Sequence, residues 1–147
     1  IYGKISDFSK DMEILLKILA LNHYTKLDKT RKVYFVDFSP FSWSNIMDEY
    51  SEERAQDAQK TEMDISLLEQ YLSSIAISDE EDKKLKCQKA VFEAMFVAYS
   101  KLEIPQSFSI PFEWLCHKKF EEVLSNKQSV ETRINYAVDW LRELYNA

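Results

Sequence analysis

Apolar residues in this chain recur mostly at helical spacing. Phe8, Met12, Leu15, Leu16 and Leu19 follow Ser6 and Asp7, either of which can cap a first helix. Ile14, Ile18 and Leu21 widen that stripe over most of the surface, and a helix apolar nearly all round belongs in the centre of a core or against a partner. The first helix is therefore the expected central element. A second helix is predicted from Ser39-Pro40-Phe41-Ser42-Trp43, with Ser39 as N-cap and Pro40 at the first helical position, where its missing N–H costs nothing. Ile46, Met47 and Tyr50 share its inner face. From Ser51 to Glu62 the pattern is almost wholly polar, which predicts either a break near Lys60 to Asp64 or a long helix with a wet middle. Ile65, Leu68, Leu72, Ile75 and Ala76 then form a clean buried stripe.

Ser78 and Glu81 form a capping-box pattern ahead of Leu85, Val91, Phe92, Met95, Phe96, Tyr99 and Leu102, a helix that Pro105 ends. Pro111 is expected to open the next helix, with Phe112, Leu115, Cys116, Phe120 and Val123 inward. Asn126 and Lys127 mark a turn, and Ser129 caps a last helix carrying Val130, Ile134, Ala137, Val138, Leu141, Leu144 and Tyr145. One segment departs from the helical period. Val33 to Phe38 is dense in β-branched and aromatic residues and reads as a strand. Its backbone needs a partner, and Ser107 to Ile110 is the other plausible extended segment; strand addition from a second molecule would satisfy the same groups. The expectation is a mainly α protein: one domain over residues 1–147, a compact bundle of about six helices, and at most a short two-stranded β element (33–38, 107–110).

The landmarks also echo. Ile5-Ser6-Asp7 and Ile77-Ser78-Asp79 open helical patterns in the two halves, and Ser39-Pro40-Phe41-Ser42-Trp43 is answered by Ser109-Ile110-Pro111-Phe112-Glu113-Trp114. The order fits two related three-helix halves, 5–76 and 77–147, but the spacing needs several gaps. Coincidence of helix caps and aromatic core positions explains the same landmarks.

Composition narrows the class. A length of 147 residues can bury a real core without staples, and 14% aromatic residues argue against disorder. A single glycine disfavours all-β folds and phosphate-cradling loops, which need glycine at tight turns and close approaches. Two cysteines, Cys87 and Cys116, form no metal-spacing pair, so a reducing intracellular setting is the expectation. No run of eighteen apolar residues occurs, and Ile14 to Leu21 lacks the basic leader of a signal peptide. A chain that begins at Ile1 is expected to be a fragment or a processed form.

The net charge of −6 disfavours generic phosphate-backbone binding. Its distribution is uneven: Lys26, Lys29, Arg31 and Lys32 make a basic loop, and Asp48, Glu49, Glu52, Glu53 and Asp57 an acidic face. Each run reads first as a solvated face, with nucleic-acid contact for the basic loop and partner contact for the acidic face as the sharper readings. Tyr136 and Trp140 lie four apart, off the last helix's stripe, as a second packing surface or a partner-binding patch.

Chemistry is sparse. Glu113, His117 and Glu121 line one helix face, where a histidine between carboxylates can hold a metal or act as a tuned base; weak surface pairing is the plainer account. His23, with no acidic partner at helical spacing, is expected to meet the last carbonyls of its helix, and Asp37 to help cap the Ser39-Pro40 start. No Gly-bounded serine elbow, phosphate loop, HExxH or CxxC occurs. The resulting expectation is a non-enzymatic helical protein-binding module (adaptor, inhibitor or assembly subunit) with no cofactor. A metal-assisted or ligand-binding enzyme centred on Glu113, His117 and Glu121 is the alternative, and a nucleic-acid-associated protein the further one.

Overall fold

The computed structural model describes residues 8–76, 89–105, 107–111 and 129–146. In these the protein is mainly helical, with five helices and short strands: α1 (Phe8–Tyr24), β1 (Thr25–Asp28), β2 (Val33–Val36), α2 (Trp43–Ala55), α3 (Ala58–Ser74), β3 (Ile75–Ala76), α4 (Lys89–Lys101), β4 (Ile110–Pro111) and α5 (Val130–Asn146). None of the described helices is long and apolar enough to cross a membrane.

The central element is α4 rather than α1. Every side chain from Ala90 to Tyr99 is buried, none more than 3% exposed. The reason lies in the run Ala90-Val91-Phe92-Glu93-Ala94-Met95-Phe96-Val97-Ala98-Tyr99, whose one charged residue is Glu93 and whose alanines let neighbours approach from every side. Helices α1, α3 and α5 pack around it, α5 most extensively. Tyr71 of α3 joins the aromatic core, its ring 5.3 Å from Phe92, 5.3 Å from Phe96 and 5.4 Å from Tyr99, and its hydroxyl donates to the Phe92 carbonyl at 3.2 Å. A smaller cluster of Ala20, Tyr24, Ile46 and Tyr50 joins α1 to α2.

The strand at Val33–Val36 forms, but its partner is not 107–110. It pairs antiparallel with β1, Thr25 opposite Val36 and Asp28 opposite Val33. Asp28 closes the loop between them, its carboxylate accepting from Thr30 N at 3.0 Å and Arg31 N at 3.2 Å, while Lys32 takes a left-handed φ of 59°. A hairpin this local closes a far shorter loop than a pairing across seventy residues, so its entropic cost is smaller. The basic segment 26–32 is thus a strand and a turn. Ile110 and Pro111 pair in parallel with Ile75 and Ala76, which makes Pro111 a strand residue. The helix expected to follow it, the capping box at Ser78 and Glu81, and both cysteines lie outside the described residues, as does much of the proposed repeat.

Helix starts also shifted. Ser42, in extended conformation at φ −149° and ψ 145°, is the N-cap of α2 and accepts from Asn45 N at 3.0 Å; the cis Ser39-Pro40 peptide precedes the helix. The polar stretch breaks at Gln56-Asp57, earlier than 60–64, because Asp57 caps α3 by accepting from Lys60 N at 3.1 Å. Ser129 caps α5 as expected, accepting from Thr132 N at 3.1 Å.

Candidate functional site

Two clefts adjoin on the surface where β2 crosses the first half of α5. The first, about 690 Å³, is lined by Asp28, Arg31, Tyr34, Asn135, Tyr136 and Asp139 among others. The second, about 630 Å³, is lined by Lys17, Phe38, Phe41, Trp43, Glu93 and Arg133 among others. Ser129 and Glu131 line both, so the clefts share a wall.

That wall is built by side chains of α5 acting as a surrogate strand. Tyr34 N donates to Asn135 Oδ1 at 2.7 Å, Asn135 Nδ2 donates to Tyr34 O at 2.9 Å, and Val36 N donates to Glu131 Oε1 at 3.2 Å. The outer edge of β2 is thereby satisfied without another strand. An alternation of residues at i and i+4 on α5, Glu131 and Asn135, meets the alternation at i and i+2 on β2, Tyr34 and Val36.

The second cleft holds buried charge. Glu93 is 3% exposed and Arg133 7%, and Lys17 Nζ lies 3.3 Å from Glu93 Oε1 while sitting 4.2 Å above the Trp43 ring. Burial pulls the Arg133 guanidinium below its ordinary range, and the nearby Glu93 carboxylate offsets only part of this. Phe41, 41% exposed, meets Trp43 edge-on at 5.3 Å and forms the cleft's apolar rim. Lys17 and Glu93 interrupt apolar runs in the sequence, whereas Arg133 sits among polar residues, and nothing in the sequence links the three.

A second polar assembly ties α1, α2 and α3 together. His23 Nε2 lies 2.9 Å from Glu53 Oε2, and Arg54 Nη2 lies 3.0 Å from His23 Nδ1. Arginine only donates, so Nδ1 accepts, and the ring carries its proton on Nε2, donated to Glu53. Arg54 Nε donates to Asp64 Oδ2 at 2.8 Å, and Tyr50 OH donates to the same oxygen at 2.6 Å. Burial opposes the charge on Arg54, but its bonds to Asp64 and Tyr50 win and raise its pKa. Burial, then Asp64, pushes the Tyr50 phenol up; burial, then the Glu53 charge, pushes Tyr24 to about 12. The expectation that His23 meets its own helix's last carbonyls gives way to this cross-helix pairing, since its acidic partner comes from α2.

Of the residues singled out from sequence, Tyr136 lines the first cleft, and it stacks on Trp140 with centroids 6.3 Å apart; both are half-buried against the core. The acidic face is divided. Asp48, Glu49 and Glu52 are exposed, Glu53 is engaged by His23 and Tyr24, and Asp57 is a helix cap. Lys26 pairs with Asp37 at 2.8 Å across the hairpin, which takes Asp37 away from its expected capping role. Arg31 enters the first cleft, and Lys29 and Lys32 stay exposed on the turn. Glu113, His117 and Glu121 lie outside the described residues. Among the described residues no group of three or more His, Cys, Asp or Glu could hold a metal ion.

The described residues define a mainly α protein whose helical core carries a hairpin locked to its last helix. No protein-family model, curated protein or solved structure matches the chain.

Proposed function

We propose that the chain is a non-enzymatic helical module that binds another protein, as an adaptor, inhibitor or assembly subunit, through the paired clefts flanking β2. The observation that carries this reading is the shared wall: two adjoining depressions with aromatic residues at both ends, Phe41 and Trp43 at one and Tyr34 and Tyr136 at the other. Tyrosine and tryptophan concentrate binding energy because they bury large area while losing little side-chain freedom. The side chains that make the wall are already ordered by the Tyr34 and Val36 bonds, so a partner meets a preformed surface. Asp48, Glu49 and Glu52 extend the contact surface as a second, acidic patch on α2.

Affinity capture from the cell of origin tests the proposal with two variants beside the natural chain. A partner lost on Phe41→Ala combined with Tyr136→Ala, and captured in smaller amount on Asp48→Ala combined with Glu52→Ala, is the expected result, with melting curves confirming that each variant folds. A partner retained undiminished by the cleft variant overturns it.

A further inference from the structure

We propose that the outer edge of β1 docks an extended acidic segment of another protein, which adds to the hairpin as a third strand and sets its carboxylates beside Lys29 and Lys32. The described sheet has two strands, and α5 covers one of its two edges through Asn135 and Glu131. Because Tyr34 turns both backbone groups toward α5, its opposite residue Leu27 turns both of its own away from β2. Asp37 N, donating to Tyr24 O at 2.7 Å, fixes the same alternation: Tyr24, Lys26 and Asp28 bond inward to β2, and Leu27 faces out. Among the described residues no strand pairs with this edge, and the Leu27 side chain is 44% exposed. An incoming strand exchanges two hydrogen bonds with Leu27 and covers it with an apolar side chain.

Charge selects the occupant. Edge strands are commonly guarded by a charged side chain, lysine above all, but here Lys26 is held by Asp37 at 2.8 Å. The hairpin carries four cations, Lys26, Lys29, Arg31 and Lys32, against two carboxylates, Asp28 and Asp37. Arg31 turns into the first cleft, whereas Lys29 and Lys32 are exposed and form no ion pair among the described residues. Lys101, whose ammonium reaches Asn22 O at 3.1 Å just ahead of β1, adds a further positive charge; burial and then the Lys26 charge lower its pKa. The carboxylates Glu131 and Asp139 stand on α5, beside the covered edge. This reading therefore stands independently of the clefts that flank β2.

The test titrates the full chain with N-acetyl-Glu-Thr-Val-Thr-Glu-amide, a sequence that reads alike in either strand direction, followed by NMR at the Leu27 amide. Counterparts carry Gln or Lys at both ends, or N-methylvaline at the centre. The Glu probe shifts the Leu27 amide, slows its hydrogen exchange and binds about fivefold more tightly than the Gln probe. The Lys probe binds most weakly, and the differences close in about 0.5 M salt. The N-methyl probe, which cannot donate to Leu27 O, binds about tenfold more weakly than the Glu probe. Lys29→Gln combined with Lys32→Gln brings the Glu probe to the Gln probe's affinity, and Phe41→Ala leaves every titration unchanged. A silent Leu27 amide, or an N-methyl probe that binds as well as its parent, overturns strand addition. Equal affinity of the Glu and Lys probes overturns the acidic partner. A short oligothymidylate that displaces the Glu probe at lower concentration gives the basic turn to nucleic acid, and a dimer in sedimentation that the probe dissociates gives the edge to a second copy; either result overturns the proposal.

Discussion

Asn135 holds Tyr34 by both of its backbone groups, accepting from the amide at 2.7 Å and donating to the carbonyl at 2.9 Å. One side chain on α5 thus does for β2 what a neighbouring strand would do. Replacing it by alanine leaves a half-buried donor and acceptor to be satisfied by water and costs about 1–3 kcal/mol. Asn135→Asp keeps the acceptor but not the donor and falls between. Urea denaturation gives the magnitude, and faster hydrogen exchange at the Tyr34 amide in Asn135→Ala locates it. A variant with natural stability and protection would show that the hairpin is held by other contacts.

Alkaline conditions test the aromatic cluster between α1 and α2. Tyr24, pushed up to about 12 by burial and then by Glu53, keeps its proton in the fold at pH values where the unfolded chain has lost it. Between about pH 10 and 12 the unfolded state binds fewer protons than the native one, so stability falls as pH rises through that window. The contribution is fully present below pH 10. Tyr24→Phe, which cannot ionise, loses less stability on going from pH 9 to pH 11 than the natural chain, by about 1 kcal/mol, measured as the shift in urea midpoint at each pH. Tyr50 moves in the same direction, so Tyr50→Phe is the parallel control.

Arg54 is the hub of the polar assembly, bonded to Asp64 at 2.8 Å and to His23 at 3.0 Å, with its guanidinium 5.1 Å from the centre of the Tyr50 ring. Arg54→Met preserves the stem but strands the Asp64 carboxylate with Tyr50 alone, at a cost of about 1–3 kcal/mol. A double-mutant cycle with Asp64→Asn separates their coupling from the rest. Nitrogen-15 spectra of the histidine rings near neutral pH place the His23 proton on Nε2 in the natural chain. A proton found on Nδ1 would contradict the assigned direction of the Arg54 contact.

Periodicity made the helices legible because each buries a face, and the apolar runs at Ile18 to Leu21, Leu68 to Ile75 and Ile134 to Leu141 mark those faces directly. The hairpin was half legible. Val33 to Val36 has strand composition, but Thr25-Lys26-Leu27-Asp28 does not; β1 forms because α1 delivers it there, with Thr25 Oγ1 donating to Leu21 O at 2.7 Å and the Asp28 turn folding it back. Phe41 and Trp43 were visible as an aromatic pair at the start of a helix, whereas their meeting with Lys17, Glu93 and Arg133 was not. Those three residues come from α1, α4 and α5, and only the tertiary fold brings them together. His23 and Glu53, thirty residues apart, were hidden for the same reason.

The end of α4 carries a left-handed residue that glycine would suit better. Glu103 has φ 51°, Glu103 N donates to Ser100 O at 3.2 Å, and Ile104 N donates to Tyr99 O at 3.4 Å, the paired bonds of a Schellman motif. Ile104, 3% exposed, supplies the apolar contact that accompanies the motif, and Pro105 follows where the helix can no longer continue. A β-carbon in this conformation crowds the backbone at a cost of about 1 kcal/mol. Glu103→Gly removes that cost, and the greater freedom of glycine in the unfolded chain takes back part of the gain. The side chain is exposed and the net stabilisation is about 0.5–1 kcal/mol, read as a higher urea midpoint with an unchanged slope. Glu103→Ala retains the β-carbon and leaves the midpoint where it was. If both variants shifted it equally, the effect would belong to the lost carboxylate and the backbone account of this cap would fail.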